Sequence, residues 1–380
     1  MIKYLGSKRT LLPVLTQLAE TLLSPKLSES AGKSQVAATE SSPSALDLFT
    51  GTTRVAQGFK RLGVNVTAND IASYSRILAE TYIASDARQV DADQLAEVLT
   101  ELENTPGREG YFTETFCRRA RFFQPKNGER IDAIRERIEN DYAGNDLYPI
   151  LLTSLMEAAD RVDSTTGQQM AYLKNWAARS YNDLELRVPE LTAGVGRATQ
   201  MDANVAARSL GHFDLVYLDP PYNQHRYFTN YHIWETLVRW DEPETYGVAQ
   251  KRTDAREPET KSAYNRKREM PVALADAISY LDCSALILSY NNESWVSFEE
   301  LYAEVAKGFA DMVALAFPYK RYVGAQIGVY NPAGERVGKA GPESNLEYLF
   351  IGANPAAIAR VRALVAGKHL SLPGQIVQPR

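Results

Sequence analysis

The sequence predicts an α/β fold: a largely parallel sheet, a late antiparallel β-hairpin and an inserted, mostly helical lobe. Three observations carry this. Ala45–Asp70 reads as strand, small-residue turn, helix and second strand, the unit that builds parallel sheets. Two apolar runs, Phe213–Leu218 and Ser284–Tyr290, read as buried strands, and the first ends abruptly in Asp219-Pro220-Pro221-Tyr222. Two later segments, Tyr319–Tyr330 and Leu346–Ile351, flank a Gly-rich loop and read as a hairpin.

In chain order, residues 1–23 open with a Gly-Ser turn. A helix follows, with Leu11, Leu12, Leu15, Leu18 and Leu22 near helical spacing. Residues 24–45 are rich in Ser, Ala and Thr and read as a flexible insert. The strand Ala45–Phe49 leads into the turn Thr50-Gly51-Thr52-Thr53. The next helix carries Val55, Ala56, Phe59 and Leu62, with Gly63 as its stop. Asn65–Asp70 is the second strand and ends in an acid. Residues 86–194 change character, becoming helical, charged and aromatic-rich. They divide the α/β domain assigned to 1–85 and 195–355. A helix covers 297–307, and the tail 356–380 holds one helical stretch and coil.

The chain has 380 residues and is 44% apolar, enough for a sizeable core. No run approaches the roughly 18 to 20 apolar residues of a membrane span. The N-terminus lacks the apolar segment of a secretory signal, which makes cytoplasm the default location. Cys117 and Cys283 lie far apart and the four histidines are scattered, so no metal site is expected. A net charge of −5 weighs mildly against a nucleic-acid partner. Its distribution weighs the other way. Lys251, Arg252, Arg256, Lys261, Arg266, Lys267 and Arg268 cluster in one stretch. Arg118, Arg119, Arg121, Lys126 and Arg130 alternate with Phe116, Phe122 and Phe123. Basic residues mixed with aromatics suit a polyanion with stackable bases, and equally suit solvated helix faces.

The motifs follow from what each residue type can do. Gly51 lets a ligand approach backbone where a side chain would collide. The following helix start presents free N–H groups. Asp70, about 20 residues on, can accept both hydroxyls of a ribose. One glycine where dinucleotide folds use three argues for a nucleoside pocket and against hydride transfer. In Lys3-Tyr4-Leu5-Gly6-Ser7-Lys8-Arg9 a glycine permits close approach and a lysine can meet a carboxylate. In Asp219-Pro220-Pro221-Tyr222 the acid and an outward proline carbonyl can grip an amino group. Tyr222 offers a face on which a planar base can stack.

Taken in order, these motifs resemble the Dam-like, D12 class of adenine-specific DNA methyltransferases, in which the target-recognition region precedes Asp-Pro-Pro-Tyr. Asn223-Gln224-His225-Arg226-Tyr227 and Tyr231-His232-Ile233-Trp234-Glu235-Thr236 resemble the FokI-type branch of restriction-modification methylases. So do Ser289-Tyr290-Asn291-Asn292 and Tyr322-Val323-Gly324-Ala325-Gln326. The resemblance covers roughly 1–90 and 200–352. It implies a Rossmann-like sheet that binds S-adenosyl-L-methionine through Tyr4, Lys8, Asp47, Gly51, Asp70 and Asp202. Tyr4 stands where many relatives have tryptophan, and Thr53 replaces the second glycine common in the cofactor turn. Asp219, Pro220 and Tyr222 fall on the catalytic motif.

The resemblance further implies transfer of a methyl group to N6 of an adenine rotated out of duplex DNA. Arg226, Tyr227, Lys251, Arg252, Arg266, Lys267 and Arg268 are the expected DNA contacts, and 86–194 the expected site of base readout. For Trp234 a core position is expected; for His232, surface or core packing and DNA contact stand level. Two readings remain open: an enzyme acting on another amine (cytosine N4, RNA adenine or a protein glutamine), and a DNA-binding protein with a degenerate pocket. The target sequence, a cognate restriction endonuclease and the oligomeric state are not legible.

Overall fold

The computed structural model describes residues 2–30, 42–221, 226–320 and 344–379. Eight strands form one sheet: β1 (Ser44–Asp47), β2 (Asn65–Asp70), β3 (Gly196–Gln200), β4 (Leu215–Leu218), β7 (Leu286–Asn291), β8 (Asp311–Lys320), β9 (Ser344–Ala353) and β10 (Gln375–Val377). Between β4 and β7 a two-stranded ribbon pairs β5 (Thr245–Tyr246) with β6 (Lys251–Arg252). The sheet order is β10-β8-β9-β7-β4-β1-β2-β3. The five strands β7, β4, β1, β2 and β3 run parallel, and β9, β8 and β10 add antiparallel neighbours. This is the Rossmann-like sheet that the resemblance implied, with the expected late hairpin on one side.

Every residue of β4 and of β7 is buried, as central strands covered on both faces must be. One face carries the helices Leu12–Ser30, Arg54–Arg61, Ser73–Ala79 and Pro355–Ala366; the other carries Ala203–Ser209, Met270–Tyr280 and Phe298–Gly308. Chain order turns back between β1 and β4. A crevice therefore opens at the carboxyl ends of β1, β2 and β4, where Asp47, Asp70 and Asp219 lie.

Several expectations shift. The first helix runs on to Ser30, so residues 24–30 are not loop. Pro25 sits inside it because the Thr21 carbonyl that loses its backbone donor accepts from Ser24 Oγ (3.1 Å) and Arg360 Nε (3.2 Å). Residues 31–41 lie outside the described residues. The hairpin's first arm begins at Asp311 rather than Tyr319, and residues 321–343, which include Tyr322–Gln326, lie outside the described residues. β3 and β10 were not read from the sequence; both are edge strands with much of their surface in water, so neither has an apolar run.

The helical segment has no core of its own. Its Ile131, Ile134, Leu151 and Leu155 join one continuous cluster with Leu15, Phe59, Tyr217 and Trp234. Arg135, almost fully buried, donates from Nε to Leu237 O (2.7 Å) and from a terminal nitrogen to Val238 O (3.0 Å). It thereby caps the helix His232–Arg239. Regular helix in the segment ends at Arg161 apart from one short turn. Phe116, Phe122 and Phe123 are core, while Arg118 and Arg119 pair with Glu109 and Glu114 on the surface. The basic–aromatic alternation there is an amphipathic pattern. Trp234 is core, as expected, and so is His232.

Candidate active site

The turn after β1 is built around two carboxylates. Asp47 is buried; its Oδ2 accepts from Thr50 Oγ1 (3.0 Å) and the Ala56 amide (3.2 Å). Its Oδ1 is buried with no partner. Burial, opposed by the Thr50 hydroxyl and aided by the charge of Asp219, pushes its pKa up to about 7. Asp70 Oδ2 accepts from the Gly51 amide (2.9 Å), and Oδ1 from the Ala72 amide (3.0 Å). Gly51 has φ +51°, and a Cβ there would lie 2.9 Å from Tyr4 Cε1. Thr53, at φ 62°, adopts the left-handed conformation that glycine takes freely and a β-branched residue rarely does. Its hydroxyl accepts from Gln57 Nε2 (2.9 Å), which helps hold it there.

Tyr4 lies on this turn. Its ring stacks on Tyr231 (centroids 4.8 Å apart, 17° between planes) and on Tyr227 (5.3 Å, 30°). Tyr231 accepts from the Leu5 amide through its hydroxyl (2.5 Å), which anchors the N-terminal segment.

On the other side of the crevice stands Asp219. Lys8 Nζ lies 2.9 Å from its Oδ1 and 2.6 Å from Glu347 Oε1. Ser289 Oγ donates to the same Glu347 oxygen (2.9 Å). Lys8, Glu347 and Ser289 are buried, and the Asp219 side chain keeps 19% of its surface. Burial pushes the Asp219 carboxyl up to about 6; Lys8 opposes this and Glu347 adds to it. Pro220 and Pro221 border the crevice; Tyr222 lies outside the described residues.

Between the two sides lies a cavity of about 930 Å³, open to solvent, which Tyr4, Lys8, Asp70, Asp202, Asp219 and Pro220 all line. Phe49, Ile71, Met201 and Tyr264 supply apolar walls that the sequence reading missed. One signal was available: Ile71 directly follows Asp70, the acid at the end of its strand. Asp202 caps the helix Ala203–Ser209, its Oδ1 accepting from the Asn204 (2.9 Å) and Val205 (3.3 Å) amides.

The expected DNA contacts divide. Arg252 is 1% exposed. It donates to Asp241 (2.7 Å) and Asp254 (2.7 Å), so it is a structural ion pair and not a phosphate contact. Charge alone could not reveal this, because the acids lie 11 and 2 residues away and pair only through the ribbon. Tyr227 lines the cavity against Tyr4. Arg226 also lines it, and donates from a terminal nitrogen to Ala255 O. Lys251 is half-buried beside Tyr246, while Lys267 and Arg268 are exposed. Arg266 pairs with Glu269 (2.7 Å). His232 is excluded from DNA contact: it is fully buried, close to Gln169 O (3.1 Å).

These residues fit S-adenosylmethionine. The cavity combines carboxylates with apolar walls, as a nucleoside-plus-amino-acid ligand requires. Asp70 presents a carboxylate to the cavity, Gly51 lets its turn pack closely under the cavity-lining Tyr4, and Asp47 keeps an unserved acceptor beneath that turn. Among the described residues no His/Cys/Asp/Glu group could hold a metal, and no helix is long and apolar enough to cross a membrane.

Comparison with known proteins agrees with this geometry. The family model for D12 class N6 adenine-specific DNA methyltransferases matches residues 4–303. The modification methylase StsI of Streptococcus sanguinis is 31% identical over 338 residues, covering 84% of this chain and 49% of that protein. The type II methyltransferase M.NlaIII of Neisseria lactamica is 32% identical over 286 residues, covering 73% and 83%. M.FokI of Planomicrobium okeanokoites is 30% identical over 297 residues, covering 73% and 45%. The chain thus spans about half the length of StsI and M.FokI and most of M.NlaIII. It belongs to the D12 class N6 adenine-specific DNA methyltransferase family.

Proposed function

We propose that this chain is a site-specific DNA adenine N6-methyltransferase that uses S-adenosyl-L-methionine, in a restriction-modification system or in phage defence. The observation that carries the reading is the placement of Asp219 and Asp70 on opposite walls of one cavity. Asp70 takes the ribose hydroxyls, with Ile71, Phe49 and Met201 forming an apolar slot for the attached ring. Asp202 stands at the rim of that slot, and Tyr4 and Asp47 bound the amino-acid end beneath the Gly51 turn. Bound there, S-adenosylmethionine supplies an electrophilic methyl group.

Asp219 and the Pro220 carbonyl each accept one N–H of the target amine. This favours a pyramidal nitrogen whose lone pair points away from both acceptors and into the cavity. No strong base is needed before attack, and Asp219 receives the proton afterwards. Much of the rate comes from holding amine and methyl in line. Tyr222 stacks on the extruded base. Arg226, Lys251, Lys267 and Arg268 meet the phosphates of double-stranded DNA, and residues 86–194 read its bases. The cytoplasm and a cognate endonuclease go with this reading.

Aspartate in the first motif position favours adenine over cytosine N4. The test is expression in a host lacking adenine methylation, with modified bases mapped by single-molecule sequencing. N6-methyladenine at one sequence is expected from the wild type and none from Asp219→Ala, with S-adenosylmethionine binding retained. Methyl transfer by Asp219→Ala at the wild-type rate refutes the role of the carboxylate, and methylated cytosine refutes the substrate.

A further inference from the structure

Two acids flank one buried lysine at this site, and the reaction as described uses one of them. Glu347 sits on β9, opposite Asn291 of β7, and belongs to neither the N-terminal motif nor Asp-Pro-Pro-Tyr. It is 4% exposed. A carboxylate so buried must be compensated. Glu347 Oε1 receives Lys8 Nζ at 2.6 Å and Ser289 Oγ at 2.9 Å. Ser289 opens the Ser289-Tyr290-Asn291-Asn292 motif, to which the reaction gives no part. Lys8 in turn reaches Asp219 Oδ1 at 2.9 Å. The chain of contacts Ser289–Glu347–Lys8–Asp219 spans three strand ends and the N-terminal turn.

We propose that Glu347 is a positioning residue for methyl transfer, acting through Lys8: it shares the lysine ammonium with Asp219, so the catalytic carboxylate is aligned by a cation without surrendering its strength as an acceptor. The inference rests on the reading of Asp219 as the acceptor of the target amine. Lys8 occupies Oδ1, which fixes the carboxylate plane and leaves Oδ2 for the amine. Without Glu347 the ammonium would turn wholly to Asp219, tighten that pair and make the carboxylate a poorer acceptor. Without Lys8 the two acids would face each other across a buried gap. The charged and titratable groups facing Asp219 are Lys8 from the N-terminal turn, Glu347 from β9, Asp47 from β1 and Tyr217 from β4. Ser289 from β7 is neutral.

The sign of the effect on acid inhibition separates positioning from simple support. Glu347→Gln keeps the shape and removes a negative charge that favours protonation of Asp219. Single-turnover methyl transfer in Glu347→Gln should slow by about tenfold. Its acid limb should move to lower pH by about half a unit or more, because a like charge has gone. Lys8→Met should move the limb the opposite way. Cofactor affinity of Glu347→Gln, by equilibrium titration with S-adenosylmethionine, should stay within about twofold of wild type. An acid limb that stays put, or moves up, in Glu347→Gln overturns the proposal, since a merely structural role lowers the rate without moving the limb. Should Glu347→Gln not fold, Ser289→Ala withdraws one hydrogen bond from the same oxygen and keeps both charges; wild-type transfer in Ser289→Ala overturns the proposal too. Asp219→Asn separates the failures. If that variant transfers methyl normally, the reading of Asp219 falls and takes this inference with it. If it is inactive and Glu347→Gln shows no shift, the inference alone falls.

Discussion

Adding one methyl group at Gly51 should damage the cofactor site through Tyr4. A Cβ at position 51 lies 2.9 Å from Tyr4 Cε1 and 3.2 Å from both Cζ and the hydroxyl oxygen. The ring has little room to yield. Tyr231 and Tyr227 stack on it at 4.8 and 5.3 Å, and its hydroxyl is 3.5 Å from that of Tyr74. The backbone at φ +51° adds a left-handed penalty of about 1–2 kcal/mol. Overpacking adds about 1–3 kcal/mol. The sum for Gly51→Ala is about 2–5 kcal/mol. With about 2.1 cal/mol/K of unfolding entropy per residue over 380 residues, 1 kcal/mol lowers Tm by about 1.2 °C. Calorimetry should therefore show Tm lower by about 2–6 °C. Isothermal titration should show S-adenosylmethionine binding at least about tenfold weaker, which corresponds to about 1.4 kcal/mol. Pairing the change with Tyr4→Ala removes the collision and leaves only the backbone penalty. The cycle should show coupling of about 1–3 kcal/mol. Wild-type affinity and Tm in Gly51→Ala, or strict additivity in the cycle, would refute the contact argument.

Two further perturbations follow from burial. Arg252→Met should lower stability by about 2–3 kcal/mol, less than a fully enclosed pair, because Asp241 and Asp254 keep a third of their surface in water. It should leave the salt dependence of DNA affinity unchanged in those molecules that fold. Arg266→Ala with Lys267→Ala and Arg268→Ala should do the reverse: normal Tm, and a salt slope shallower by about 2, since each released phosphate contact contributes about 0.9 and Arg266 is already paired with Glu269. Binding titrations at several salt concentrations decide both.

His232 governs a pH effect. Burial, only partly offset by its hydrogen bond to Gln169, holds its pKa down at about 3, against the ordinary 6.5 of histidine. The unfolded chain therefore binds this proton more readily. The contribution of the neutral imidazole is fully present above pH 6.5 and is lost as pH falls toward 3. At about 1.4 kcal/mol per unit this approaches 4–5 kcal/mol at the acid end. Urea unfolding of His232→Phe between pH 7 and 4 should show a lower neutral stability, from the stranded Gln169 carbonyl, and a flatter acid decline. An equally steep decline would exclude the buried imidazole as its source.

What could be read from the chain followed physical signal. Strands β2 and β4 declared themselves because each is a short run, buried in the fold, that stops at an acid. Asp70 and Asp219 were legible for this reason and both line the cavity, while Asp47 was legible from the turn it precedes and lies buried beneath it. The edge strands β3 and β10 were silent because half-exposed edges need no apolar pattern. Arg252 misled because charge looks alike in a core pair and in a DNA contact, and only the ribbon distinguishes them. Glu347 was invisible because its meaning depends on register: Lys8 is 339 residues away. Thr53 raised a question that φ answers. The turn keeps the left-handed backbone that glycine would supply, and the threonine bears the strain.

The continuous core beneath residues 86–194 bears on how such a protein acquires new specificity. Exchanging that segment with a homologue's would unseat Arg135 from the carbonyls of Leu237 and Val238 and open holes beside Trp234. Hybrid enzymes made by cassette replacement should therefore misfold. If residues 86–194 read the bases as proposed, changed targets must instead arise by piecemeal substitution on the solvent-facing rim, with the foundation left intact.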